Sequence, residues 1–420
     1  MDSKKNKPDR KLQAVLSRKF VVRNSYFTDL FEKKETRVIY NLFAVFAISA
    51  FVKKGYTEYV TEGRVRFGID FLALMFVDFD KTLLIWSSCL GASCACFFCF
   101  KIWASFRNFS KISTKFWDLS WTSLLLFYYW YSFKLTGDAV RFYNLPIVAR
   151  LFCAMECVRL VMKSHSFVRN TLPGVIRSSH RLHLPSFSSY VRFLFLPTLI
   201  YHENYPLRKE INWNFFLKTL VELVVAIFLV SFGIEKIYIF IHEIGLRKFT
   251  VTEILQAALE NHIEYGVFLL MFVHYTWFHC VQNLFGELFR FGDRLFHTNW
   301  WDLSDMRMSL VNWNLLVVDW IYYYVYLDFK NYVYDNIFVT RLVSFLLSVA
   351  VHEWFGYQFS SNLPDRNLFV LLNLYFITLS ITLGILYAAE YTISINVPCD
   401  NRSRLEQLFL PRFIDYITWE

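Results

Sequence analysis

The sequence predicts an all-α polytopic membrane protein with about eight to nine transmembrane helices. Three observations predict it. Hydrophobic residues make up 55% of the 420 residues and charged residues only 19%, against roughly 45–50% and ~25% in average globular chains. Aromatic residues reach 20% while Gly (13) and Pro (9) are scarce, which excludes collagen-like and low-complexity architectures. The apolar residues also fall in long runs. A membrane helix needs ~20 mostly apolar residues to cross a hydrocarbon core ~30 Å thick.

The runs appear in order along the chain. Residues 38–53, 82–106 and 116–134 are the first three. The fourth, 139–163, is apolar but carries Arg141, Arg150, Glu156 and Arg159. Residues 215–241, 264–286, 337–359 and 367–392 complete eight, and 310–327 is a possible ninth. Lipid leaves no partner for open backbone groups, so these runs are helical.

Residues 1–37 form a basic, polar arm that includes Lys4, Lys5, Arg10, Lys11, Arg18 and Lys19, without the apolar core of a cleavable signal. The positive-inside rule places this arm in the cytosol. It returns the loop at 164–214, with Arg169 and Arg177, to the same side. The loop at 286–309, with Arg290 and Arg294, follows it. Residues 38–420 then form one transmembrane domain. Eight spans leave the C-terminus cytosolic; nine place it in the lumen with the sequon Asn401-Arg402-Ser403. The net charge of +9 sits mostly at the ends of apolar runs, as topology and anionic headgroups require, so nucleic acid is not an expected partner. No internal repeat supports a transporter built on inverted repeats.

Ionisable groups at membrane depth are costly and mark functional sites. His352 is foremost, in the apolar run RLVSFLLSVAVHEWFGYQF (341–359), where a neutral imidazole can act as a general base. A hydrogen-bonded structural histidine is the other reading. His274 and His279 lie five apart, a spacing that does not share one face of an α-helix well. His242 and Glu243 end a run, where side chains reach the interface. Cys89, Cys94, Cys96 and Cys99 read as small buried helix residues rather than metal ligands, and so do Cys153 and Cys157, four apart on one face. Cys399 stands alone near the chain end. In 291–330, Trp300, Trp301, Trp313 and Trp320 sit among Asp293, Asp302, Asp305, Asn312, Asn314 and Asp319. Two readings stay open there: an interfacial aromatic belt, or a pocket in which Asn314 orients a substrate or steadies an oxyanion.

Five stretches resemble the membrane-bound O-acyltransferases, specifically their sterol O-acyltransferase branch. They are MKSHSFVRNTLP (162–173), YVRFLFLPTLIYHENYP (190–206), FGDRLFHTNWWD (291–302), Trp313-Asn314 with DWIYYYVYLDF (319–329), and SVAVHEW (348–354). The ends ILYAAEYTI (385–393) and FIDYITWE (413–420) are similar as well. The first stretch separates the sterol branch from the diacylglycerol branch, which shares the second.

The resemblance implies a superfamily fold with a buried reaction chamber, a long-chain acyl-CoA donor and a sterol 3β-hydroxyl acceptor. It implies His352 and Asn314 as the catalytic pair, Trp300 and Trp313 as walls near the reaction centre, and Tyr326 and Ser348 along the acyl-CoA path. It implies no cofactor and no metal beyond the acyl-CoA substrate. Membrane lipid surrounds such a protein, its location is the endoplasmic reticulum membrane, and its assembly is a homodimer or a tetramer of two dimers. Direct attack by the hydroxyl is the simpler chemistry, although Ser348 stands four residues before His352 on one helical face.

The chain departs from the family pattern in places. The family's FYxDWWN reads Phe296-His297-Thr298-Asn299-Trp300-Trp301-Asp302, so a Tyr becomes His and an Asp and an Asn change places. HEY becomes HEW at Trp354, and basic positions of the CoA-binding stretch are Asn336 and Ile337. Two rival functions therefore stand beside the sterol reading. One is the same transfer to diacylglycerol or a fatty alcohol. The other is a sterol-binding membrane protein of the same fold with weakened catalysis.

Overall fold

A computed structural model describes residues 19–67, 69, 72–73, 76–107, 114–177, 184–246, 272–302 and 311–360. The run at 367–392, the ends at 385–393 and 413–420, Cys399 and the sequon lie outside the described residues, as do the side chains of His242, Glu243 and Asp302. The described residues are helical without a β-strand; one isolated bridge joins Arg23 and Asp293. Helices Lys34–Glu62, Phe79–Phe106, Trp213–Phe232 and Ile337–Phe355 are long and apolar enough to cross a membrane. The chain is accordingly an all-α, multi-span membrane protein.

The chain divides into two compact units, one of residues 1–21, 74–207 and 316–362, the other of 22–73, 208–315 and 363–420. In the first unit, α1 (Phe79–Phe106), α2 (Thr114–Phe142) and α3 (Ile147–Arg177) form the core. Their facing stripes recur every three or four residues: Cys89, Ser93, Cys96, Phe97 and Phe100 on α1, and Cys153, Cys157, Leu160 and Phe167 on α3. The cysteines are packing residues there. Cys89 Sγ lies 3.2 Å from Thr136 Oγ1, and Cys157 Sγ donates to the Ser132 carbonyl at 3.4 Å. At the centre, Ser93 and Ser164 Oγ lie 2.7 Å apart, and Tyr190 Oη bonds both at 2.8 and 2.9 Å. Such a network is worth keeping only when each member is satisfied, because an unpaired buried polar group costs ~1–3 kcal/mol.

Two expectations change here. The run 139–163 is not one helix: α2 ends at Phe142 and α3 begins at Ile147. Asn144 adopts a left-handed φ of 48° and Pro146 follows, so the helical ladder cannot continue. α3 then runs on to Arg177, so MKSHSFVRN stands on a helix rather than in a loop.

The second unit contains a short helix Tyr26–Glu32, the long helix Lys34–Glu62, the described part of Trp213–Leu246 and the rod 272–288. Residues 23–37, the last part of the basic arm 1–37, are folded in this unit. Arg23 grips Asp293 through Nε and Nη2 at 2.6 and 3.1 Å, and its amide donates to the Gly292 carbonyl at 2.9 Å.

Candidate active site

His352 lies on the helix Ile337–Ser360 of the first unit. That helix buries Thr340 and Gln358 and lays Trp354 edge-on against Phe133, with ring centroids 4.8 Å apart. His352 lies off that stripe and is exposed, where a buried chamber was expected. Its Nδ1 lies 2.7 Å from the Ser348 carbonyl oxygen, one helical turn back. A carbonyl only accepts, so Nδ1 carries the hydrogen and Nε2 of the neutral ring keeps its lone pair. The side chain of Ser348 is half-buried at the edge of the same face.

Tyr326 closes a π-helical turn, Tyr322–Tyr326, that continues the helix Leu315–Ile321. It stacks on Tyr322 with centroids 5.6 Å apart and an interplanar angle of 16°. Beyond it Asp328 takes a two-pronged bond from Arg169, at 2.7 and 2.9 Å. Trp320 Nε1 donates to the Met162 carbonyl and to Ser166 Oγ, both at 2.9 Å.

The motif on α3 divides its side chains between two tasks. Lys163 is buried, and its Nζ donates to the carbonyls of Phe193 and Leu196 at 2.7 and 2.6 Å. Those carbonyls end the helix Phe187–Phe195, where a cation answers the unpaired acceptors and the negative end of the helix dipole. Ser166 donates to Leu199 O at 2.5 Å and Asn170 to Tyr201 O at 2.5 Å. The FLFLPTLIY segment is thus pinned by its backbone.

Asn314 belongs to the second unit, at a non-helical residue between the turn 311–313 and the helix Leu315–Ile321. Backbone bonds tie its surroundings to the FHTNWW loop: Thr298 N to Asn312 O at 3.1 Å, and Leu315 N to Phe296 O at 3.0 Å. The Thr298 hydroxyl also bonds the Asn312 side chain. Trp300 and Trp313 meet edge to face with centroids 4.4 Å apart. Trp300 is buried and Trp313 half-buried against protein rings, so neither stands in a lipid-facing belt.

His297 and His274 complete this cage, with rings 4.5 Å apart and both fully enclosed. His274 Nε2 donates to the Trp313 carbonyl at 3.1 Å, and His297 Nδ1 to the Thr298 carbonyl at 3.0 Å. Burial pushes His297 down to about 3, with the neighbouring His274 adding to it, so the ring is neutral. At a spacing of five, His274 and His279 would not share one face of an α-helix well. The rod between them is a π-helix, Tyr275–Val281, whose i→i+5 pattern returns such residues to one face. The Phe27 ring accordingly meets both, at 6.1 and 6.0 Å.

FGDR supports the loop from below. Arg294, expected to mark the cytosolic side, is instead buried, with Nη1 2.5 Å from Glu287 Oε2. Burial lowers its guanidinium to about 10, which still leaves it charged at neutral pH. A Cβ on Gly286 would stand 3.2 Å from Arg294 Nε, which explains a glycine there. Sequence reasoning passed over Lys163 and Glu287; a charge at the edge of an apolar run was the available signal.

No protein-family model matches the chain. It is similar to curated sterol O-acyltransferases. Sterol O-acyltransferase 1 of Mus musculus is 31% identical over 347 residues, covering 80% of this chain and 63% of that protein. Sterol O-acyltransferase 2 of Homo sapiens is 29% identical over 350 residues, covering 80% of this chain and 64% of that protein. The chain therefore spans just under two-thirds of the length of these relatives. The resemblance carried by the motifs is borne out.

Proposed function

We propose that this chain, a relative of the sterol O-acyltransferases within the membrane-bound O-acyltransferases, esterifies a sterol 3β-hydroxyl with a long-chain acyl group from acyl-CoA. The observation that carries this reading is the bond from His352 Nδ1 to the Ser348 carbonyl, which leaves Nε2 as a base on an accessible face. Nε2 takes the hydroxyl proton as the sterol oxygen attacks the thioester carbon. The ester C–O bond forms and the C–S bond breaks. The imidazolium then returns the proton to the departing thiolate, giving sterol ester and free CoA. Asn314 orients the acyl carbonyl or the hydroxyl, with Trp300 and Trp313 as apolar walls and Tyr326 and Ser348 along the acyl-CoA path. No metal or cofactor enters this scheme.

The same reading places the protein in the endoplasmic reticulum membrane, with the basic segment 1–37 on the cytosolic side from which anionic CoA arrives. Its assembly is a homodimer or a pair of dimers. The test supplies labelled oleoyl-CoA with cholesterol or diacylglycerol to microsomes carrying the native chain or His352→Ala. Labelled sterol ester from the native chain alone is the expected result. Triacylglycerol without sterol ester moves the acceptor to diacylglycerol, and no ester from either acceptor ends the enzyme reading.

A further inference from the structure

Residues 23–31 lie as a strap against the FHTNWW loop and have no task in that scheme. The loop needs support from outside itself. Between residues 291 and 299 it forms no helix, so its backbone groups find partners elsewhere. The rod supplies part of that support through Glu287 and Arg294. The strap supplies another part, within the same unit.

The strap touches the loop along its length. The Arg23 amide donates to the Gly292 carbonyl, its side chain grips Asp293, and the Arg294 amide bonds the Arg23 carbonyl at 3.4 Å. Phe27 lies parallel to Trp301, with centroids 5.5 Å apart and an angle of 8°. Its ring is 4.6 Å from that of His297. Tyr26 meets the same two rings edge-on, at 5.7 and 5.8 Å. The strap is itself anchored away from the loop. Asn283 of the rod donates to the buried Ser25 hydroxyl at 2.8 Å, and Arg208 donates to the Asn24 side-chain oxygen at 2.5 Å.

A short route leads from Phe27 to Asn314. The His297 ring donates to the Thr298 carbonyl at 3.0 Å. The Thr298 amide and hydroxyl both bond Asn312, two residues before Asn314. On the other side of Asn314, the Leu315 amide bonds the Phe296 carbonyl. Asn314 is outside any helix, so these loop bonds set its place. A group that orients a reacting acyl chain must be held closely, because a displacement of about 1 Å can cost ~10²-fold in rate.

We propose that Phe27 is a positioning residue for Asn314, acting through His297 and the FHTNWW loop, with Arg23 and Ser25 fixing the strap. The role given to Asn314 rests on the acyltransferase reading; the hold of the strap on the loop does not.

The test compares the full native chain with Phe27→Leu and Phe27→Tyr in nanodiscs that contain cholesterol. Leucine keeps most of the apolar bulk, which spares folding, but offers Trp301 no flat face; tyrosine keeps the ring. Backbone hydrogen exchange is followed by mass spectrometry on peptides covering 296–301 and 312–316. It should be about tenfold faster there in Phe27→Leu and native-like in Phe27→Tyr. With oleoyl-CoA, kcat per folded molecule should fall about ten- to a hundredfold in Phe27→Leu at unchanged KM, and recover in Phe27→Tyr. Unchanged exchange at these peptides overturns the strap. Exchange that rises equally throughout the second unit is a general loss of stability and overturns a local role. Faster exchange with native kcat, or a rise in KM alone, overturns the positioning of Asn314. If the native chain forms no ester, the acyltransferase reading fails by itself, and the exchange at 312–316 still decides whether Phe27 holds that segment.

Discussion

His352 in one unit and His297 in the other make the same hydrogen bond. Each ring gives its Nδ1 hydrogen to a backbone carbonyl, at 2.7 Å to Ser348 and 3.0 Å to Thr298. Each therefore keeps a lone pair on Nε2. The surroundings differ. His352 is exposed on a helix face, whereas His297 is 0% exposed among Phe27, His274 and Phe278. The tautomer alone does not make a base. Access for a proton donor does, and only the first histidine has it.

The strongest test of that contrast is His352→Ala. On the proposed mechanism, loss of the base removes about 10²–10⁴-fold of the rate, and an exposed side chain should leave thermal unfolding unchanged. A change confined to stability would reverse the roles of the two histidines. Glu287→Ala should act on the cage instead. It strands the buried Arg294 guanidinium, which costs about 3–5 kcal/mol, and should appear as a large fall in Tm or in yield of monodisperse protein. Activity lost at full stability would make that ion pair part of the chemistry.

A smaller effect separates the units by pH. His297 is neutral in the fold, held from 6.5 down to about 3. Below 6.5 the unfolded chain binds a proton that the folded one refuses. Its contribution is therefore complete above 6.5, is lost as pH falls, and stops changing near 3. Tm measured between pH 7 and pH 4 should fall less steeply in His297→Phe than in the native chain. Equal slopes would show that the ring protonates in place. The smallest effect belongs to Ser348→Ala. The backbone carbonyl holds His352, so the tautomer survives, and one lost hydroxyl contact costs at most about tenfold in rate. A loss as deep as that of His352→Ala would instead point to a serine nucleophile.

Some features were legible because they depend on local chemistry. The packing role of Cys153 and Cys157 follows from their spacing, and the helix around His352 from an uninterrupted apolar run. Others depend on partners distant in sequence. Arg294 reads as a topological marker until Glu287 is found beside it. His274 and His279 read as unrelated until a π-helix replaces the α-helical period. Lys163, the last residue of the apolar run 139–163, has no role in the sequence until the carbonyls of Phe193 and Leu196 claim it.

Composition and run length by themselves determined a helical membrane protein, since hydrocarbon thickness and backbone satisfaction leave few alternatives. The motifs by themselves determined the relatives. Tertiary structure alone decided which polar groups are spent on backbone carbonyls, which are walled in, and which remain open to a ligand. Those outcomes depend on distances between residues far apart in the chain, and no period in a sequence encodes them.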